Sequence, residues 1–496
     1  MELGRSPAEE LLEQIRHGPE GPHITAIFDF DGTLIDGYSA SALYAHRLRN
    51  FEIGAAEAVR TVRATLGGTL TEAEFTELMA GGVRGWQGRL EDDLLELGER
   101  LFAQEVAGNL FHEAWRLVKA HQRCGHTVII ATSATRLQVL PLANELGVEH
   151  ILCTQLEREN GVLTGRIEGR PLWGDGKIAA VRTFAAEHAI DLANSHAYAN
   201  GDEDIPLLGS VGIPHPVNPQ PELAAVAARK GWQVLRFRTS SHRVDPTPMV
   251  RTAAMYGGLF ASAGAGIALG VLRGDRRLGV DLATSMFGDV AGALGDLRLE
   301  VIGEHHVWSQ RPAVFFINHQ STLIDFVVTS RLLRHGFTAV AKKELQRTPL
   351  IGQLFSMAGV AFVDRANRNS AVESLRPAVD TLKKGTSVVM APEGTRSLTP
   401  RIGTFKKGGF HLAAQAEVPI VPIVIRNAGE IMWRGAKTAK SGTIQVVVHP
   451  PIPTEGWTAD DIDAAVHDVR QLYLDTLENW PSAEAGSTSH ATEMNQ

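Results

Sequence analysis

Two aspartates close an apolar run near the start of the chain, in ITAIFDFDGTL, as Asp29 and Asp31. In an extended strand, residues i and i+2 point the same way. Both carboxylates therefore face one side at a strand end, which suits Mg2+. One carboxylate can attack phosphorus while the other handles the leaving-group proton. Further groups follow in order: Ser133 ends HTVIIATS, Lys177 lies in GDGK, and Asn200, Asp202 and Asp204 follow SHAYA. Ser133 could hydrogen-bond a phosphoryl oxygen, Lys177 could neutralise charge, and Asn200 with the acids could finish the metal shell. The chemistry this set suits is cleavage of a phosphate ester.

A different set stands in the C-terminal half. His319 ends the apolar run AVFFINH, and Asp325 follows in NHQSTLID. A histidine with a carboxylate partner is a general base whose tautomer the acid fixes. Such a base can take the proton of an alcohol as it attacks a thioester. Lys342 and Lys343 in AKKEL, Arg365 and Arg368 in FVDRANR, and Glu393, Gly394, Thr395 and Arg396 in APEGTRS each come after a short apolar run. Arginine forks and backbone N–H groups suit a phosphate. This set fits acyl transfer onto a hydroxyl near a phosphate.

The first set, over roughly residues 24–240, resembles the haloacid dehalogenase superfamily of phosphatases, in the branch that includes phosphoserine phosphatase. That resemblance implies Asp29 as the nucleophile and Asp31 as general acid/base. It implies Ser133 (or Thr132, one place earlier) and Lys177 on the phosphoryl group, and Mg2+ held by Asp29, Asp31, Asn200 and Asp204. Asn200 stands where the family often has an aspartate, and Asp202 is nearby to compensate. Gly37 and Tyr38 stand where phosphoserine-type enzymes carry a glutamate for the amino group, so phosphoserine is not the expected substrate. The second set, over about residues 295–455, resembles the glycerolipid acyltransferase family, which includes 1-acylglycerol-3-phosphate acyltransferase, and VPIVPIVI (418–425) matches its fourth motif. The resemblance implies His319 as base and Asp325 as its partner. It implies Arg365, Glu393, Gly394, Thr395 and Arg396 on the acceptor's phosphate, helped by Lys342 or Lys343. The family places four residues between the histidine and the aspartate, and here there are five. On a helix one extra residue turns a side chain by about 100°, so pairing requires a tight turn or bulge ahead of the helix.

The elements that must position these groups read as two α/β domains. Buried strands are expected at 24–30, 126–132, 150–154, 195–200 and 232–237, with a hairpin at LTGRIEG and a helical cap at about 37–122. Strands alternating with helices point to a doubly wound parallel sheet. A second strand–helix series runs through AVFFIN, FTAVAKKEL, VAFVDR, SVVMAP, VPIVPIVI and TIQVVVHP. The expected organisation is an extension at 1–22, a phosphatase-like domain at 23–240, a linker with membrane-associating helices at 241–290, an acyltransferase-like domain at 291–480 and a disordered tail at 481–496.

At 496 residues the chain is too long for one core. Its net charge of -8 argues against a general nucleic-acid binder. Cys124 and Cys153 have no metal-ligand spacing and read as buried reduced thiols. The first residues are polar and lack a signal-peptide core, so export is not expected. Residues 253–272 carry no charge, and Arg251, Arg273, Arg276 and Arg277 flank them. Their length suits a bilayer span of about 20 residues. A span, a membrane-embedded hairpin and a buried helix between domains are all compatible with this stretch. KK at 383–384 and KKG at 406–408 read as solvated faces. The joint expectation is a bifunctional phospholipid-synthesis enzyme, membrane-associated on the cytoplasmic face. It would take an acyl group from acyl-CoA or acyl carrier protein, with lysophosphatidate as acceptor and phosphatidate as product. An acyltransferase for another acceptor, with a weakly active regulatory N-terminal domain, is the alternative.

Overall fold

The apolar run ahead of Asp29 becomes β1 (Thr25–Phe28), buried at every position. The computed structural model describes residues 7–53, 71–238, 246–342, 346–348, 351–363 and 376–481. Its chain divides into two α/β units, Met1–His242 and Arg243–Gln496. In the first unit β2 (Thr127–Thr135), β3 (His150–Thr154), β4 (Leu156–Glu159), β5 (Val162–Ile167), β6 (His196–Ala199) and β7 (Ile213–Pro216) follow β1. Five of these form a parallel sheet in the order β3-β2-β1-β6-β7, and β4 pairs with β5 alone.

Strand alternation sends side chains to both faces of this sheet. One face carries Ile27, Ala197 and Ala199, packed against Val181, Phe184 and Leu223 of the covering helices. The other carries Phe28 and Tyr198, stacked with centroids 4.3 Å apart. Around them four histidines are buried. His121 meets His126 at 2.8 Å and the Tyr198 hydroxyl at 2.8 Å, and His196 meets His215 at 3.0 Å. Helices Ser39–Arg49, Glu72–Arg84 and Glu91–Leu101 form the cap, cored by Leu43, Val83, Trp86, Leu94, Leu97 and Leu101. The second of these helices starts at a capping box of Thr71 with Glu74.

The strand expected at 232–237 is reduced to a bridge between Val217 and Leu235. The sheet edge is instead β7, IPHP. Its prolines cannot donate to a ladder, which hides it from strand propensity but suits an edge position. Both cysteines are buried and free.

In the second unit β8 (Leu297–Ile302), β9 (Val314–Ile317), β10 (Phe337–Lys342), β11 (Ala361–Val363), β12 (Ser387–Met390), β13 (Ile420–Ile425) and β14 (Gly442–Val448) form one sheet. Its order is β11-β10-β12-β9-β13-β14-β8, and only β13 and β14 run antiparallel. β9 is central and fully buried, so His319 emerges where the sheet core ends. Lys343, Arg365 and Arg368 and the tail 482–496 lie outside the described residues, as does the side chain of Lys342.

The uncharged stretch lies in a helix, Thr247–Arg273, which turns at Gly274 into a second helix, Arg276–Leu294. Asp275 caps that helix by accepting from the N–H groups of Arg277 and Leu278 at 2.8 and 3.1 Å. The two helices approach so closely that a Cβ on Gly266 would stand 2.3 Å from the Gly279 carbonyl oxygen. Only 22% of the apolar window is buried, and Val271 and Leu272 are 78% and 81% exposed. Within the C-terminal unit the hairpin leaves these apolar side chains uncovered.

Candidate active sites

In the N-terminal unit, Asp29 N–H donates to the Tyr198 carbonyl at 2.9 Å, which joins the ends of β1 and β6. The Lys177 ammonium sits between two carboxylates, 2.9 Å from Asp29 Oδ1 and 2.7 Å from Asp204 Oδ1. All three side chains are buried. Burial pulls the Lys177 pKa down, but the charges of Asp204 and Asp29 outweigh it and hold the group cationic. Asp31 turns to the cap helix: it accepts from Ser39 N–H at 2.7 Å and from Ser39 Oγ at 3.1 Å. Burial, opposed by the Ser39 backbone hydrogen bond, raises its pKa to about 7. A carboxyl that holds a proton near neutrality can protonate a leaving group.

Asn200 reaches the Asp31 loop because residue 32 is glycine at φ +75; a Cβ there would stand 2.2 Å from Asn200 Nδ2. Its Oδ1 accepts from Thr33 Oγ1 at 3.3 Å. Asp202 is turned away and accepts from Leu223 N–H at 2.7 Å, at a helix start. Thr132 Oγ1 accepts from Ala134 N–H at 3.0 Å, whereas the Ser133 carbonyl is held by Thr154 Oγ1 at 2.7 Å. Among the described residues no three His, Cys, Asp or Glu side chains converge on one cation position. The donors themselves suit a hard cation, since Asp29, Asp31, Asn200 and Asp204 all offer oxygen. Asp204 Oδ2, though buried, has no hydrogen-bond partner among the described residues. Burial raises the Asp204 pKa to about 7, so its charge is under-compensated by Lys177 alone.

In the C-terminal unit, residues 319–321 are not helical. Ser321 is extended at φ -142, and the helix Thr322–Leu333 begins after it. The fifth intervening residue is absorbed in that stretch, and Asp325 falls in the first turn. Its Oδ2 lies 2.7 Å from His319 Nδ1 and also accepts from the N–H groups of Gln320 and Ser321 at 3.1 and 3.0 Å. With Nδ1–H held by the carboxylate, Nε2 is left as the basic nitrogen. The His319 side chain is 27% exposed while that of Asp325 is buried.

Glu393 is expected on the acceptor's phosphate. It is buried, and its Oε2 accepts from His319 N–H at 2.7 Å. Burial raises its pKa to about 7 against the hydrogen bonds from the His319 and Gly403 backbone. The carboxyl group thus ties the backbone of His319 to that of Gly403. Gly394 at φ +75 turns the chain, Thr395 is exposed, and Ser397 N–H donates to the His319 carbonyl at 3.2 Å, which keeps Arg396 next to the base.

Several positioning groups escaped sequence reasoning. Asn318, fully buried, exchanges two hydrogen bonds of 2.7 Å with the Ile425 backbone. Gln320 accepts from Gly429 N–H at 3.0 Å. The Tyr473 hydroxyl donates to the Phe316 carbonyl at 2.7 Å and accepts from Ile423 N–H at 3.1 Å. Asn318 and Gln320 flank His319, which was the available signal. Tyr473 has none in its neighbourhood.

Behind the helix of Asp325 lies an apolar cavity of about 680 Å³. Leu259, Ala263, Ile267, Phe287, Phe326 and Leu354 are among its lining residues.

Comparison with known proteins agrees with the two-part geometry. Residues 26–209 match the model of the haloacid dehalogenase-like hydrolases, and residues 298–426 match that of the acyltransferases. A 1-acyl-sn-glycerol-3-phosphate acyltransferase of Saccharomyces cerevisiae is 34% identical over 42% of this chain and 68% of its own length. Among solved structures, the 1-acyl-sn-glycerophosphate acyltransferase of Thermotoga maritima aligns over 47% of this chain and 98% of its own, with 23% identity and a TM-score of 0.41. A probable phosphoserine phosphatase of Vibrio cholerae aligns over 44% of this chain and 62% of its own, with 20% identity and a TM-score of 0.34. The chain therefore belongs, through its C-terminal half, to the 1-acyl-sn-glycerol-3-phosphate acyltransferase family, and it carries a haloacid dehalogenase-like hydrolase domain ahead of that half.

Proposed function

We propose that the chain is a bifunctional enzyme of phospholipid synthesis on the cytoplasmic face of a membrane. Its C-terminal unit moves a fatty acyl group from an acyl-CoA or acyl carrier protein thioester to 1-acylglycerol-3-phosphate, giving phosphatidate. Its N-terminal unit hydrolyses a phosphomonoester through an aspartyl-phosphate with Mg2+.

In acyl transfer, His319 Nε2 takes the acceptor's hydroxyl proton as the oxygen bonds to the thioester carbonyl carbon. The C–S bond then breaks, and the thiol leaves with that proton. Asp325 stabilises the imidazolium formed in between. Glu393 fixes the backbone of His319, while Gly394, Thr395, Arg396, Lys342 and Arg365 hold the acceptor's phosphate. The apolar cavity receives the acyl chain. The observation that carries this reading is the 2.7 Å contact of His319 with Asp325 beside the Arg396 segment. The exposed apolar faces of the helical hairpin support membrane association. Thr247–Arg273, at 27 residues, is about 40 Å long.

In phosphate hydrolysis, an Asp29 oxygen attacks phosphorus and the ester oxygen leaves with a proton from Asp31. Asp31 then accepts a proton from the water that cleaves the aspartyl-phosphate. Ser133 and Lys177 hold the phosphoryl oxygens. Bound by Asp29, Asp31, Asn200 and Asp204, Mg2+ would offset phosphoryl charge.

The test is release of free thiol from acyl-CoA, and from acyl carrier protein, on adding lysophosphatidate to the purified full chain. A signal lost in His319→Ala supports the reading. Thiol release that does not depend on lysophosphatidate, or that survives His319→Ala, contradicts it.

A further inference from the structure

We infer that Arg434, outside every motif, is the second guanidinium of the acceptor's phosphate subsite and closes with Arg396 on the phosphomonoester of the lysolipid. This rests on the acyl-transfer reading above. The two arginines are crossed: Arg396 Nη1 donates to the Arg434 carbonyl at 3.2 Å, and Arg434 Nη1 donates to the Arg396 carbonyl at 3.0 Å. Among the described residues neither forms an ion pair with a carboxylate. Like charges are thus held close, and among the described residues each arginine spends one side-chain N–H on the other's carbonyl and has most of its five donors left.

The pair is fixed beside the base by both of its segments. Ser397 N–H donates to the His319 carbonyl at 3.2 Å. Arg434 belongs to a loop tied down at its other end, where Gly429 N–H donates to Gln320 Oε1 at 3.0 Å. Trp433 anchors that loop: a Cβ on Gly429 would stand 2.9 Å from its ring. Burial and the Arg434 charge pull the Arg396 pKa down, and the Asp325 carboxylate pulls it up. Arg396 therefore feels both its twin and the catalytic carboxylate. Two neighbouring arginines that ion-pair with no acid among the described residues suit a dianion with several oxygens. A phosphomonoester meets that need and relieves the repulsion.

The experiment compares the full-length wild type with Arg434→Gln and Arg434→Lys. The expected result for Arg434→Gln is a KM for lysophosphatidate at least tenfold higher, with kcat within about threefold and the KM for acyl-CoA unchanged. Arg434→Lys should recover part of the loss, because it restores charge without the fork. An unchanged lysophosphatidate KM overturns the assignment. So does a donor KM that rises in step with it, which marks a loop disturbed as a whole. Direct binding of lysophosphatidate in detergent micelles separates this inference from the reading beneath it. A wild type that transfers no acyl group to lysophosphatidate defeats the acceptor reading. Arg434 then stands only if Arg434→Gln binds lysophosphatidate at least tenfold more weakly than wild type, and falls if binding is equal.

Discussion

Asp325 reaches His319 across five intervening residues because its helix begins only at Thr322. The extended Ser321 takes up the extra residue, and the Asp325 carboxylate gathers three N–H donors onto one oxygen. Orientation of the base therefore rests on a turn ahead of the helix.

Asp325→Asn should keep the turn, since an amide oxygen still accepts backbone N–H groups. It should lose the charge that stabilises imidazolium. The expected fall in acyl-transfer kcat is about 10³-fold or more, by analogy with other His–carboxylate pairs, with an unchanged circular dichroism spectrum. A kcat within threefold of wild type would refute the pairing's role.

Lys177→Met leaves Asp29 and Asp204 buried without their cation. Breaking a buried ion pair in this way costs about 3–5 kcal/mol. A lower melting temperature of the full chain and loss of aryl-phosphate hydrolysis are expected. Retention of both properties would show that Lys177 is dispensable.

The buried histidines should weaken the N-terminal unit as pH falls. Burial lowers the pKa of His196 to about 4 and that of His215 to about 3, and holds His121 well below 6.5. A histidine depressed in the fold binds fewer protons than its unfolded form, so its stability contribution is full above pH 6.5. It is lost as pH falls toward the folded values. Asp31 and Asp204, both raised to about 7 by burial, take up protons over the same range and offset part of this loss. The histidines' share is therefore read from the slope of melting temperature between about pH 6.5 and 4 in wild type against a histidine variant. His215→Phe should flatten that slope. An equal slope in the variant would remove the histidine cluster as its source.

Ala263 lines the apolar cavity. Ala263→Phe should narrow it and shift donor preference from long to shorter acyl-CoA by at least tenfold in relative kcat/KM. An unaltered chain-length profile would place the acyl chain elsewhere.

What the chain disclosed in advance was mostly local. Asp29, Asp31 and His319 each end an apolar run, and that pattern alone puts them at strand ends. Lys177, in GDGK, ends no apolar run and Asp204 stands five residues past β6, so both stood out only in company with Asp29 and Asp31. The start of the helix Asp175–Glu187 and the turn after β6 bring them to Asp29. Glu393 could be named from its motif, but a motif does not say which way each side chain points. β7 was hidden by its two prolines. β8 was hidden because it lies at the sheet edge and is buried fully only at Leu297. Tyr473 and Arg434 act on residues 157 and 38 positions away, through hydrogen bonds that no local periodicity encodes.

The most direct measurement follows both chemistries in one tube. The purified full chain, in lipid vesicles with Mg2+, receives [14C]acyl-CoA and [32P]lysophosphatidate, beside His319→Ala and Asp29→Asn. The expected result is doubly labelled phosphatidate from wild type and from Asp29→Asn, and none from His319→Ala. Aryl-phosphate hydrolysis should show the reverse dependence, and [14C]diacylglycerol formed by wild type but by neither Asp29→Asn nor His319→Ala would make the two steps consecutive. Phosphatidate formed equally by His319→Ala, or aryl phosphate cleaved equally by Asp29→Asn, would contradict the assignment of two separate catalytic sites to this chain.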